Sequence, residues 1–253
     1  VILIIMKINA MLLVFCTFMA ACSAEETSLH DLTEDFHAWL LKPNTELTHF
    51  NYKDGVFKAK KTITSGGEIH YKKTGNNCIA YAPHRYFDKH TLKIAKAVFA
   101  ECQVLLTNSK HRNTLDQSNN KLDFGKYKVS SANAFILAYA KTVESFSIYQ
   151  VHGFAKEKRK TLQGRNADII VSNGSKTPSK ATVKISECLN NQVGSNVMLF
   201  GRDVFELGGT KNILTDMAPV NSQFFHIELS RQMRERLITN SQLLKQFSQC
   251  LIS

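Results

Sequence analysis

Proline is scarce in this chain, four in 253 residues, and none of the four sits in a Pro/Gly-rich stretch. No internal repeat is visible either, so nothing marks a linker or an array, and one compact domain is the expectation. No two cysteines stand in CxxC spacing and none lies beside a histidine, which excludes a thiolate zinc motif and a cysteine nucleophile of the usual kind. The Gly208-Gly209 pair is too short for a phosphate-cradling loop and reads as a site-lining loop or a tight turn. Dense basic runs with interleaved aromatics are also missing. The one cluster, Lys156 to Lys160, has no aromatic and reads as a solvated loop. Nucleic acid is therefore not an expected partner, although the formal charge is +11.

The one long apolar run, Ile8 to Met19, falls short of the roughly 20 residues a membrane-spanning helix needs. Met6-Lys7 supplies a short positive start and Ala20-Ala21-Cys22-Ser23-Ala24 a run of small residues, so residues 1–21 read as a signal peptide, with residues 1–5 as upstream extension. Met19-Ala20-Ala21-Cys22 resembles a bacterial lipoprotein signal, with Cys22 as the lipidated mature N-terminus and Met19 where leucine is usual. Ordinary cleavage near Ala24, giving a secreted protein, is the alternative. In both cases the chain is expected to be exported, in the lipoprotein case to the cell envelope as a membrane-anchored monomer. Cys78, Cys102, Cys188 and Cys250 then face an oxidising compartment, where four thiols allow three disulfide connectivities. The expected pairing is Cys78 with Cys102 and Cys188 with Cys250, because each pair flanks one predicted unit.

The chain is organised around Ser145 to Phe154, SFSIYQVHGF, an aromatic and β-branched run that predicts a buried strand ending at His152-Gly153. Ahead of it, the spacing predicts a helix over Asp31 to Lys42, a polar hairpin or irregular lead-in over 49–73, strands at 77–82 and 103–107, and helices at 89–102 and 130–144. A polar loop is expected before Val129. Behind it come strands at 167–172, 196–200 and 223–229, a helix at 178–190, and one long helix from Ser230 to Cys250. Strands alternating with helices predict a single α/β domain, a three-layer αβα sandwich with a largely parallel, mixed central sheet. Residues 22–76 are expected as a lead-in to a catalytic domain over 77–253.

Polar groups fall at the ends of these strands: His84 and Asp88 after the first, His152 after the central one, and Glu228 near the end of the last. Charge buried at a strand end is costly unless paired or metal-bound. Two imidazoles and a carboxylate are a common catalytic zinc set, and a further carboxylate can take the proton of an attacking water. His226 projects to the same strand face as Glu228. It could orient Glu228, substitute as a ligand, or serve only as a buried structural histidine.

The segments APHRYFDKHT (82–91), YQVHGF (149–154), ADIIVSNG (167–174), ELGGTKN (206–212) and FHIELSRQMRERL (225–237) together resemble the zinc-dependent amidohydrolase and carboxypeptidase-like superfamily. Within it they are similar to N-formylglutamate amidohydrolases and phage poly-γ-glutamate hydrolases. The resemblance implies one zinc ion on His84, Asp88 and His152, with Glu228 as general base. Asp88 stands where relatives commonly carry glutamate, at a different spacing from true carboxypeptidases. A guanidinium can hold a substrate carboxylate by two parallel hydrogen bonds; Arg165 and Arg231 are the first choices, with Arg112 and Thr210 as further substrate-binding candidates. The expectation is an exported hydrolase that cleaves an amide bond in a peptide-like or polyanionic substrate. The alternative is a non-catalytic envelope lipoprotein that binds a ligand on a degenerate hydrolase fold.

Overall fold

A computed structural model describes residues 27–63 and 65–252. The expected signal, with Cys16, Cys22 and the cleavage site at Ala24, lies outside the described residues.

Helix α1 (Leu29–Leu41) starts at a capping box, in which Ser28 and Asp31 each bond the other's backbone N–H. Three short strands follow, β1 (Phe50–Lys53), β2 (Val56–Ala59) and β3 (Glu68–Tyr71), as an antiparallel meander. Then come β4 (Asn76–Ala82), α2 (Thr91–Phe99), β5 (Cys102–Thr107), α3 (Ser131–Ala140), β6 (Phe146–Phe154), α4 (Leu162–Asn166) and β7 (Ile169–Ser172). The chain closes with α5 (Lys180–Val193), β8 (Val197–Leu199), α6 (Leu214–Met217), β9 (Ser222–Ser230), α7 (Arg231–Thr239) and α8 (Ser241–Ile252).

The nine strands among the described residues form one mixed sheet in the order β1-β2-β3-β5-β4-β6-β9-β7-β8. The centre, β5-β4-β6-β9, is parallel, and antiparallel neighbours β3 and β7 flank it. Two apolar clusters cover its faces. Phe36, Phe50, Phe57 and Phe135 join α1 and α3 to one face, with ring centroids 4.1 to 5.4 Å from Phe36. Helices α2, α5, α7 and α8 pack on the other through Val98, Leu189, Met233 and Phe247. The three-layer α/β fold with a mixed, centrally parallel sheet is thus the observed one.

Two expectations need correction. The stretch 49–73 does hold the expected hairpin, β1-β2, but it is not simply polar, because β3 pairs with β5 and Phe50, Phe57 and Ile69 enter the main core. The long final helix is two helices: Asn240 is extended (φ −122°, ψ 102°) and its Oδ1 accepts Leu243 N–H at 3.0 Å, so it ends α7 and caps α8. Both disulfides are the expected pairs: Cys78–Cys102 joins the amino ends of β4 and β5, and Cys188–Cys250 joins α5 to α8.

The sheet's pleat decides where chemistry collects. Along β6 one face reads Phe146, Ile148, Gln150, His152, and along β9 it reads Phe224, His226, Glu228. Each face runs from apolar to polar toward the carboxyl end, and all these residues are buried. The strands pair with His152 opposite Glu228 and Gln150 opposite His226.

Candidate metal centre

After β4 the chain turns at Pro83-His84, and the His84 carbonyl accepts the N–H of both Phe87 and Asp88 at 2.8 Å. That single turn brings His84 and Asp88 to one side, with His84 Nδ1 3.3 Å from Asp88 Oδ2. His152 arrives from the neighbouring strand. Its Nδ1 is 3.2 Å from His84 Nδ1 and 3.7 Å from Asp88 Oδ2. All three side chains are buried.

The outer partners determine which atoms are free. His84 Nε2 meets Asp123 Oδ1 at 2.6 Å, and a carboxylate only accepts, so the proton of the neutral ring sits on Nε2. His152 Nε2 meets Gln150 Oε1 at 2.9 Å and carries its proton for the same reason. Three unprotonated donors, His84 Nδ1, His152 Nδ1 and Asp88 Oδ2, therefore face one another. Ligands around a tetrahedral ion at about 2.0–2.2 Å stand roughly 3.4 Å apart, which is the spacing seen. The donor set fits a divalent cation, and two imidazoles with a carboxylate suit zinc.

Glu228 stands beside this triad and, with His152 and His226, forms a second group of convergent donors. Its Oε1 is 3.9 Å from His226 Nε2, too long for a hydrogen bond, and its Oε2 has no partner. Burial, reinforced by the charge of Asp88, pushes the Glu228 carboxyl up to about 8 in the metal-free protein. Burial likewise holds His152 down to about 4, opposed by the bond to Asp88 that only its charged form can make, and drives His226 well below its usual value. His84 moves the other way: burial disfavours its charged form, but the bond to Asp123 and the one to Asp88 that the charged ring would gain outweigh that and raise it. Asp88 and Asp123 are buried too, yet their histidine partners hold both well below the usual carboxylate range.

A cleft of about 290 Å³ opens onto these groups and is walled by Leu207 to Asn212. Gly209 (φ +66°) is required there, since a Cβ would come within 2.7 Å of the His226 ring. Thr210 lines the same cleft. Arg112 joins the centre: it donates to His84 Nδ1 at 3.2 Å and to Asp123 Oδ2, and its guanidinium lies 5.2 Å from the Phe87 ring centre.

The two arginines favoured from sequence are elsewhere. Arg165, exposed on α4, donates to the carbonyls of Arg159 and Lys160, and Arg231 pairs with Glu235 while its side chain is 73% exposed. At the first position of α7, Arg231 points to solvent, whereas Arg234 shares the inward face with Met233 and Leu237. That helical spacing was the available signal for Arg234. Gln150 could have been found by its two-residue offset from His152 on one strand face. Asp123 and Asn212 carried no such sign.

No family model matches the chain, and no curated protein matches it in sequence. Solved structures do match its shape. A protein solved zinc-free as YNDL superposes with a TM-score of 0.50 at 16% identity, covering 84% of this chain and 92% of that one. An N-formylglutamate amidohydrolase from Ralstonia eutropha gives 0.43 at 11% identity, covering 73% and 94%. An aspartoacylase family protein from Mesorhizobium loti gives 0.41 at 10% identity, covering 79% and 71%. At such identities the shared property is the fold.

Proposed function

We propose that this chain is an exported zinc-dependent hydrolase that cleaves an amide or peptide bond in a carboxylate-bearing substrate. One observation carries the reading: the outer hydrogen bonds of His84 and His152 leave two bare ring nitrogens and the Asp88 carboxylate facing a common point. His84, Asp88 and His152 would hold the ion, which when bound supplies Lewis acidity toward a carbonyl and a more acidic water. Glu228, whose Oε2 has no hydrogen-bond partner, would take the proton of the attacking water as a carboxylate and pass it to the departing amine. Asp123 keeps the His84 ring oriented.

The preference for anionic substrates is supported by the cations near the centre. Arg112 faces the cleft, and Lys121, Lys126 and Lys128 line an adjoining groove of about 630 Å³. Export is supported by the two disulfides, which persist in oxidising compartments. Anchoring by lipid on Cys22 belongs to the same proposal, and a mass of the mature N-terminus that lacks a diacylglyceryl cysteine would remove it.

A second reading has one observation in its favour. Arg112 donates into the His84 Nδ1 lone pair that an ion would use, as a ligand-binding lipoprotein without a metal would permit. Elemental analysis of the purified domain, beside His152→Ala, separates the two. About one zinc per chain, lost in the variant, supports the hydrolase; no metal after zinc reconstitution supports the ligand binder.

A further inference from the structure

We infer that Gln150 and Asn212 are positioning residues for His152, a buried relay that dictates which ring nitrogen is left bare. The chain of assignment starts at the backbone. Leu214 N–H donates to Asn212 Oδ1 at 3.1 Å, which turns the Asn212 amide nitrogen toward Gln150. That nitrogen donates to Gln150 Oε1 at 2.5 Å, so Gln150 must present its carbonyl oxygen and not its NH2. The same oxygen lies 2.9 Å from His152 Nε2. Because it only accepts, the proton is fixed on Nε2 and Nδ1 keeps its lone pair.

Gln150 is 0% exposed and Asn212 6%, so water does not compete for these bonds. The relay also joins two parts of the site. Asn212 ends the cleft-wall loop, where its N–H bonds the Gly209 carbonyl at 2.8 Å, while His152 sits on the central strand. A loop that shifts would release Gln150 and with it the ring of His152. The two histidines are thus held by different devices: His84 by a charged acceptor, His152 by a neutral amide pair that adds no charge to the centre.

The role in ion binding rests on the metal-site reading above, whereas the tautomer can be tested without it. Ring-nitrogen NMR on the metal-free protein at neutral pH, together with zinc competition against a chelating dye, would be run on wild type, Gln150→Met, Gln150→Glu and Asn212→Leu. Wild type and Gln150→Glu, which retains an acceptor oxygen, are expected to show His152 protonated at Nε2 alone. Gln150→Met is expected to give mixed tautomers, and both it and Asn212→Leu to weaken zinc binding by about 10–100-fold, the usual loss when a ligand's outer partner is removed. A folded Gln150→Met that keeps the single Nε2-protonated form and binds zinc within twofold of wild type overturns the relay. Should that variant not fold, Asn212→Leu is read by the same two measurements and the same limits. If wild type takes up no zinc, the metal reading fails while the tautomer comparison still decides the relay.

Discussion

The guanidinium of Arg234 occupies the place where a side chain at Gly153 would stand: a Cβ there would lie 1.7 Å from Arg234 Nη1. The same Nη1 donates to the Leu229 carbonyl at 2.8 Å, and Gly153 and Leu229 are register partners. One buried cation from α7 therefore closes the ends of the two strands that carry His152 and Glu228. Its charge faces Asp88 and Glu228, although burial lowers its own pKa. Gly153→Ala is expected to cost about 2 kcal/mol through overpacking, a fall of roughly 4–8 °C in melting temperature for a chain of this size. An unchanged melt would show that the guanidinium has somewhere else to go.

Loss of either imidazole from the triad is expected to abolish tight zinc uptake. His84→Ala and His152→Ala should each fall from about one ion per chain to a trace. Chelating the wild type should lower its melting temperature, since an ion present at 100 times its Kd stabilises by about 2.7 kcal/mol. Identical melts with and without chelator, for a protein that holds zinc, would mean that the ion is not in this buried centre.

Glu228→Gln keeps the shape of the side chain and removes its proton chemistry. Turnover of an amide substrate should drop by about 10²–10⁴-fold, with metal content unchanged. A variant that loses its metal would instead make Glu228 a ligand, as its place beside His152 and His226 also permits.

Stability of the metal-free protein should depend on pH through Glu228. Its folded pKa is raised to about 8, so its contribution is fully present below the unfolded value near 4.3 and is lost as pH rises through about 8. His152, depressed to about 4, has the opposite effect: its contribution is present above roughly 6.5 and lost as pH falls. Between about pH 6.5 and 8 the Glu228 effect remains after that of His152 has ended, with a limiting slope of ~1.4 kcal/mol per pH unit. Urea midpoints of wild type in this window should fall more steeply than those of Glu228→Gln. Parallel curves would place the ionisation elsewhere.

Arg165→Ala and Arg231→Ala should leave zinc affinity and turnover unchanged and shift stability by no more than about 0.5 kcal/mol. Arg112→Ala should impair the centre, because it removes a bond to Asp123 and one to His84. A tenfold rise in KM with Arg231→Ala would return that residue to the substrate.

The legible parts of this molecule were those governed by local pattern. The run through Phe146 and Ile148 announced a buried strand, Ser130 and Pro178 stood at the starts of expected helices, and His84, Asp88, His152 and Glu228 fell at strand ends where side chains converge. The place of β1 to β3 in the core was obscured because FNYK, VFKA and EIHY are short and half polar: β3 is joined to the central sheet by pairing with β5, and Phe50 and Phe57 are buried by packing on Phe36. The division at Asn240 was hidden because the apolar spacing continues through both α7 and α8. Asp123 reaches His84 across 39 positions from within a polar loop, and Asn212 reaches Gln150 across 62. Such contacts exist only once the topology is known. Arg231 was chosen by nearness to Glu228 in sequence; helix phase turns it to solvent and brings Arg234 to the inward face.

The two disulfides close separate covalent rings, residues 78–102 and 188–250, that neither overlap nor nest. His84 and Asp88 lie inside the first ring and His226 and Glu228 inside the second, whereas Asp123, Gln150 and His152 belong to the open span between them. A single backbone cut within either ring leaves the polypeptide covalently whole, and a cut in the open span divides it in two. The span that supplies the central imidazole and its amide partner thus carries no cross-link of its own and is held by strand pairing, core packing and hydrogen bonds.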